Sequence, residues 1–172
     1  LHLGRFMNTP VEAAELEYPV MIERYEFIED SGGAGKYRGG VSTRRDIRFF
    51  TDVTWGRYSD RQKFRPLGIF GGKDGSMSSL VLNPGTTMEK KCRSKGVGQI
   101  KSGDLLSIRL PGSGGYGPPE ERDLKAVRQD VINHKISIQS ALKNYKVILD
   151  KNLNIDEQAT ESLRFKCREN LK

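Results

Sequence analysis

The stretch Pro111-Gly112-Ser113-Gly114-Gly115-Tyr116-Gly117-Pro118-Pro119 separates two kinds of sequence. Upstream of it, short apolar runs alternate with turns. Residues 20–28 (VMIERYEFI) end at Glu29-Asp30-Ser31-Gly32-Gly33, residues 41–50 follow a glycine-bounded turn, and residues 53–58 carry the only tryptophan, Trp55. β-Branched and aromatic runs at this hairpin spacing predict strands in an antiparallel meander. Residues 80–82, 97–100 and 104–110 predict further strands, the last with Leu106, Ile108 and Leu110 facing inward. Between them, residues 59–79 turn to Gly, Pro and Ser; a loop of this length inside a domain is usually functional or interfacial. Downstream of the glycine run the period changes. Leu124, Val127 and Val131 fall at helical spacing after two acids, Glu120 and Glu121, that suit the positive end of a helix dipole. A second helix over 137–145 begins at a capping serine, and a third begins at Asp156, with Ala159, Leu163 and Cys167 on one stripe. The fold class expected is mainly β (meander, sandwich or barrel-like) over residues 1–117, with a helical annex over 118–150 and a charged helical extension over 151–172.

Composition narrows the function classes. Glycine is enriched, 19 of 172 residues or about 11%, against roughly 7% on average. Only 35% of residues are hydrophobic and the mean hydropathy is −0.60, low for a free-standing globule and consistent with a surface completed by a partner. The net charge of +7 is spread along the chain among 22 acids. No block of five like charges marks a nucleic-acid footprint. The densest patch, Thr43-Arg44-Arg45-Asp46-Ile47-Arg48, alternates like a solvated strand face. Cys92 and Cys167 have only His2 and His134 to join them, without zinc spacing. Two free thiols fit a reducing cytoplasm. No apolar stretch approaches the roughly 20 residues of a membrane span, and no signal peptide is visible. The chain opens at Leu1, without methionine, inside a segment that reads as ordered, as expected for a piece of a longer polypeptide.

The glycine motifs invite nucleotide readings that fail on chemistry. Gly112 to Gly117 matches G-x-G-x-x-G after a strand, but Pro118 and Pro119 remove the amides a helix N-terminus would offer, and a second helix follows where a strand is needed. Ser31-Gly32-Gly33-Ala34-Gly35-Lys36 resembles a phosphate loop, yet Asp30 stands where glycine is required and Tyr37 where a hydroxyl must hold magnesium. Ser113 lacks the glycine two positions before it that a nucleophile elbow needs. No catalytic residue, metal ligand or cofactor site is assigned within this chain. The candidates for lining a substrate or an interface are Asp60, Arg61, Gly112, Gly114, Gly115 and Tyr116.

Several longer motifs, taken in order, resemble the hydantoinase B/oxoprolinase family. They are Asn8-Thr9-Pro10-Val11-Glu12, Glu17-Tyr18-Pro19, Glu23-Arg24-Tyr25-Glu26, the run Asp30 to Gly40, Ser59-Asp60-Arg61-Gln62-Lys63-Phe64 with Gly71-Gly72, Asn83-Pro84-Gly85, and Pro111 to Pro118, which corresponds to the family's PGGGGYG element. The likeness covers residues 8 to about 150 and leaves 151–172 as an extension. Ser113 departs from the family pattern by replacing a glycine. The resemblance implies a hetero-oligomer in the cytoplasm. In it, ATP and magnesium sit on an A-type subunit, and a divalent metal sits in the larger N-terminal part of a B-type subunit. Such complexes open hydantoins or 5-oxoproline by phosphorylating the amide oxygen, and relatives carboxylate acetone or acetophenone. Under this resemblance the chain is the C-terminal domain or small subunit of a cyclic amide hydrolase, not catalytic alone. A ketone carboxylase part and a non-enzymatic β-rich binding module are the alternatives.

Overall fold

A computed structural model describes residues 8–169; Leu1, where the chain opens, and His2, one of its two histidines, lie outside them. The elements run α1 (Val11–Glu17), β1 (Val20–Ile28), β2 (Ser42–Phe49), β3 (Val53–Tyr58), β4 (Ser79–Leu82), β5 (Lys90–Lys91), β6 (Lys95–Ile100), β7 (Leu105–Arg109), a 3₁₀ turn (Pro119–Glu121), α2 (Leu124–Ile132), α3 (Ile138–Tyr145) and α4 (Glu157–Glu169). Five strands form a sheet in the order β1-β2-β7-β4-β5, and β3 pairs with β6 in a separate ribbon. The class is mainly β and antiparallel with a helical C-terminal part, and the described strands close no barrel. Consecutive strands pair at β1–β2 and β4–β5, but not elsewhere in the described sheets. The third strand pairs with β6, with Trp55 opposite Gly98 and Arg57 opposite Gly96, and a Cβ on Gly98 would stand 2.7 Å from the indole nitrogen.

The chain divides into two compact units. One comprises the described residues up to Tyr25, Arg45–Ser59 and Leu80–Ile108; the other comprises Glu26–Arg44, Asp60–Ser79 and the residues from Arg109 onward. Within the first, Leu80, Ile100 and Leu106 are buried. Leu110, expected inward, is 52% exposed, one residue past the end of β7 at Arg109. Arg24 Nε lies 3.7 Å from the buried Asp46 carboxylate, and Arg48 pairs with Glu23. In the second unit Arg44 faces Glu26 at 3.9 Å. Arg44 and Arg48 of the basic patch are therefore met across the strand pair by acids of β1, and Arg45 lies over the Tyr25 ring, which the local alternation could not reveal.

The second unit holds the apolar core: Ala34, Val127, Val131, Ile136, Ala141, Tyr145 and Val147, with Leu124, Leu149, Leu153 and Ile155 packed against them. Side-chain caps set the helix starts. Asp123 accepts from the Ala126 amide at 2.8 Å, Ser137 from Ser140 at 3.0 Å and Asp156 from Ala159 at 3.0 Å, each satisfying an orphan first-turn donor. α2 thus begins at Leu124, later than Glu120, because the prolines and the Asp123 cap leave a 3₁₀ turn before it. α4 is fastened by Thr160, fully buried, whose hydroxyl accepts from the Ile148 amide at 3.0 Å. Arg164 also donates to the carbonyls of Tyr145 and Arg122. No helix among the described residues is long and apolar enough to cross a membrane.

Candidate functional site

Three glycine-rich loops of the second unit, around residues 31–40, 66–76 and 111–118, meet backbone to backbone. A Cβ on Gly33 would stand 2.0 Å from the Lys73 carbonyl oxygen, on Gly112 1.9 Å from that of Ser31, on Gly114 2.0 Å from that of Leu67, and on Gly115 2.2 Å from that of Ala34. None of these four glycines has left-handed backbone. Space, and not conformational freedom, is what they supply. Ser113 is tolerated in the run because its side chain is exposed while its carbonyl takes the close approach to Gly39.

The approach lets the loops exchange hydrogen bonds as strands do. Gly33 donates to Ser113 at 2.8 Å, Lys73 to Ala34 at 2.7 Å, Gly115 to Lys73 at 2.9 Å, Ile69 to Gly115 at 3.0 Å and Gly117 to Ile69 at 3.0 Å. Tyr37 and Tyr116 exchange a pair at 3.0 and 2.9 Å. The amides of Gly112, Ser113, Gly115, Tyr116 and Gly117, and those of Gly33, Lys36, Tyr37 and Gly39, all point at carbonyls of this chain. A phosphate cradle needs such amides unspent.

An ionic clamp secures the first loop to the helices. Asp130 on α2, 5% exposed, receives Arg38 Nε at 3.0 Å and Arg122 Nη2 at 2.9 Å. The other arms of those guanidiniums donate to the carbonyls of Gly39 and Lys36 at 2.6 and 3.1 Å. Tyr145 is fully buried nearby; burial pushes its phenol up to about 12, against the opposing pull of Arg122 and Arg38.

On this interlock the aromatic side chains face outward. Tyr116, 46% exposed, has Phe70 at 5.2 Å and Tyr37 at 6.1 Å between ring centroids, both tilted, and Phe70 is 75% exposed. Ile69, bridged to Tyr116 through the backbone, is also exposed. The structure thus places Gly112, Gly114, Gly115 and Tyr116 together in the loop interlock. Asp60 and Arg61 are tied elsewhere in the loop: their carbonyls accept from the hydroxyl and amide of the buried Ser78, and Arg61 takes a left-handed φ of 61°. Tyr37, Phe70 and the Arg38–Asp130–Arg122 clamp were missed from sequence. Arg38 and Asp130 are 92 positions apart, and no spacing rule joins them. Among the described residues no group of His, Cys, Asp and Glu side chains comes together to hold a metal ion.

A family model described as hydantoinase B/oxoprolinase matches residues 1–119, including all three glycine loops. The chain belongs to this family. An uncharacterised protein of Methanocaldococcus jannaschii is 40% identical over 162 residues, 92% of this chain and 28% of that protein. The B-type component of a putative D-/L-hydantoinase from a Pseudomonas species is 33% identical over 91% of this chain and 27% of its own length. Among solved structures, the ATP-dependent caprolactamase from Pseudomonas jessenii superposes with a TM-score of 0.79 at 32% identity, over 92% of this chain and 28% of that one. A nucleotide-free acetone carboxylase shares the fold, with a TM-score of 0.71 at 18% identity over 94% of this chain and 26% of that one. This chain spans little more than a quarter of the hydantoinase B-family relatives it matches here.

Proposed function

We propose that this chain is the C-terminal domain, or a separate small subunit, of the B-type component in an ATP-dependent complex that opens cyclic amides. The observation that carries the reading is the exposed Tyr116–Phe70–Tyr37 cluster on loops joined to one another by backbone hydrogen bonds. Exposed, contiguous aromatics on a rigid base fit a docking surface or the rim of a shared cavity, since tyrosine and phenylalanine are enriched at interface cores. Family membership and a likeness above 30% to a caprolactamase and a hydantoinase component favour cyclic amides as the substrate class. In this reading ATP and magnesium belong to an A-type partner, a divalent metal to the N-terminal part of the B-type component, and the reacting groups to that hetero-oligomer.

Reconstitution tests it. This chain alone with ATP and a hydantoin is expected to turn nothing over. Adding an A-type subunit and the N-terminal part of a B-type one is expected to give ATP hydrolysis that depends on a cyclic amide and on this chain. Turnover indifferent to the chain would reject the proposal, and turnover requiring bicarbonate and a ketone would replace the hydrolase with a carboxylase.

A further inference from the structure

A cavity of about 310 Å³ lies in the first unit, between the β3–β6 ribbon and the β4–β5 hairpin. Arg57, Lys90, Lys91 and Arg93 line it, and no acid does. Among the described residues none of these four cations makes an ion pair, whereas Arg24, Arg48 and Lys101 of the same unit each meet a carboxylate. A larger cavity along α4 differs: Glu161 there offsets Arg164 and Lys166, leaving no field of one sign.

The donors are held in place. Arg57 Nε donates to the Arg93 carbonyl at 2.8 Å, and its guanidinium lies 5.1 Å from the Trp55 ring. Its terminal nitrogens lie over Gly98 and Gly96 of β6. Gly98, opposite Trp55, makes room for both side chains: a Cβ there would stand 2.7 Å from the indole nitrogen and 3.0 Å from Arg57 Nη1. An indole N–H and a guanidinium thus both lie over Gly98, and Lys90 and Lys91 of β5 line the same cavity. Arg supplies the forked geometry that matches phosphate oxygens, and Lys supplies mobile charge.

We propose that this cavity binds the phosphate groups of a small phosphorylated molecule. Four unpaired cations match a multiply charged anion better than a single carboxylate, and the volume exceeds that of one phosphate. The inference rests on the ribbon and hairpin alone and is independent of the functional reading above. Its test is calorimetric titration of the full chain at low ionic strength, with inorganic pyrophosphate in one arm and ADP in the other. One saturable pyrophosphate site is expected, weakened tenfold or more by Arg57→Gln and by Lys91→Gln, and unchanged by Lys125→Gln on α2. Lys91 is on an exposed two-residue strand, so its variant decides the matter should Arg57→Gln fail to fold. ADP binding tighter than pyrophosphate would assign a nucleotide, and equal binding a bare phosphate group. No saturable site, or equal weakening by Lys125→Gln, would overturn the proposal.

Discussion

Replacing Gly115 by alanine adds one methyl group at the centre of the glycine interlock. That Cβ would lie 2.2 Å from the Ala34 carbonyl oxygen and 2.6 Å from its carbon. An ordinary contact begins near 3.4 Å, so the two strands of backbone must part by roughly 1 Å. Three hydrogen bonds sit on the segments that move: Lys73 to Ala34 at 2.7 Å, Gly115 to Lys73 at 2.9 Å and Ile69 to Gly115 at 3.0 Å. Overpacking costs about 1–3 kcal/mol, and each buried group left unpaired about 1–3 kcal/mol more. With one or two bonds lost, the expected destabilisation is about 2–9 kcal/mol. In a chain of this size that lowers the melting temperature by about 4 °C or more. Gly56→Ala is the control, because a Cβ there meets nothing within 4 Å and the backbone is not left-handed; it is expected within about 0.5 kcal/mol of wild type. Thermal and urea unfolding of the three proteins measure the difference. Melting of Gly115→Ala within about 2 °C of wild type would refute the close-approach reasoning.

Two further outcomes follow from the second unit. Asp130→Asn leaves two largely buried guanidiniums around a neutral amide and is expected to cost about 3–5 kcal/mol in urea unfolding; a loss below about 1 kcal/mol would mean the clamp does not hold the loop. Tyr145 gives a pH dependence with a definite sign. Its folded pKa, about 12, lies above the roughly 10 of an unfolded tyrosine, so its contribution is full below pH 10 and is lost as the pH rises through 12. The stability difference between wild type and Tyr145→Phe should therefore shift by up to about 2–3 kcal/mol against wild type over that interval, and a pH-independent difference would contradict the burial of the phenol.

Much of the secondary structure was legible because it is written locally. Ser137 and Asp156 announce helix starts through their own side chains, and residues 20–28 and 53–58 carry the β-branched and aromatic bias of strands. The bend at 112–117 was legible as a bend. What it packs against was not, since the carbonyls of Ala34, Leu67 and Lys73 are supplied by chain dozens of residues away, and backbone oxygens leave no mark in side-chain sequence. The same limit hid the β3–β6 pairing, where Gly96 and Gly98 signal a close approach without naming Arg57 and Trp55 as the visitors. It also hid the aromatic rim, because Tyr37 and Phe70 are ordinary loop residues until the interlock places them beside Tyr116.

The most direct test of the account asks whether that rim is a docking surface. Sedimentation of this chain with the N-terminal part of a B-type subunit and an A-type subunit from the same organism measures association without requiring turnover. Wild type should co-sediment, and the double variant Phe70→Ser, Tyr116→Ser, whose altered side chains are exposed, should keep its melting temperature yet bind at least tenfold more weakly. Equal binding by a folded double variant, or no association of wild type, would contradict it.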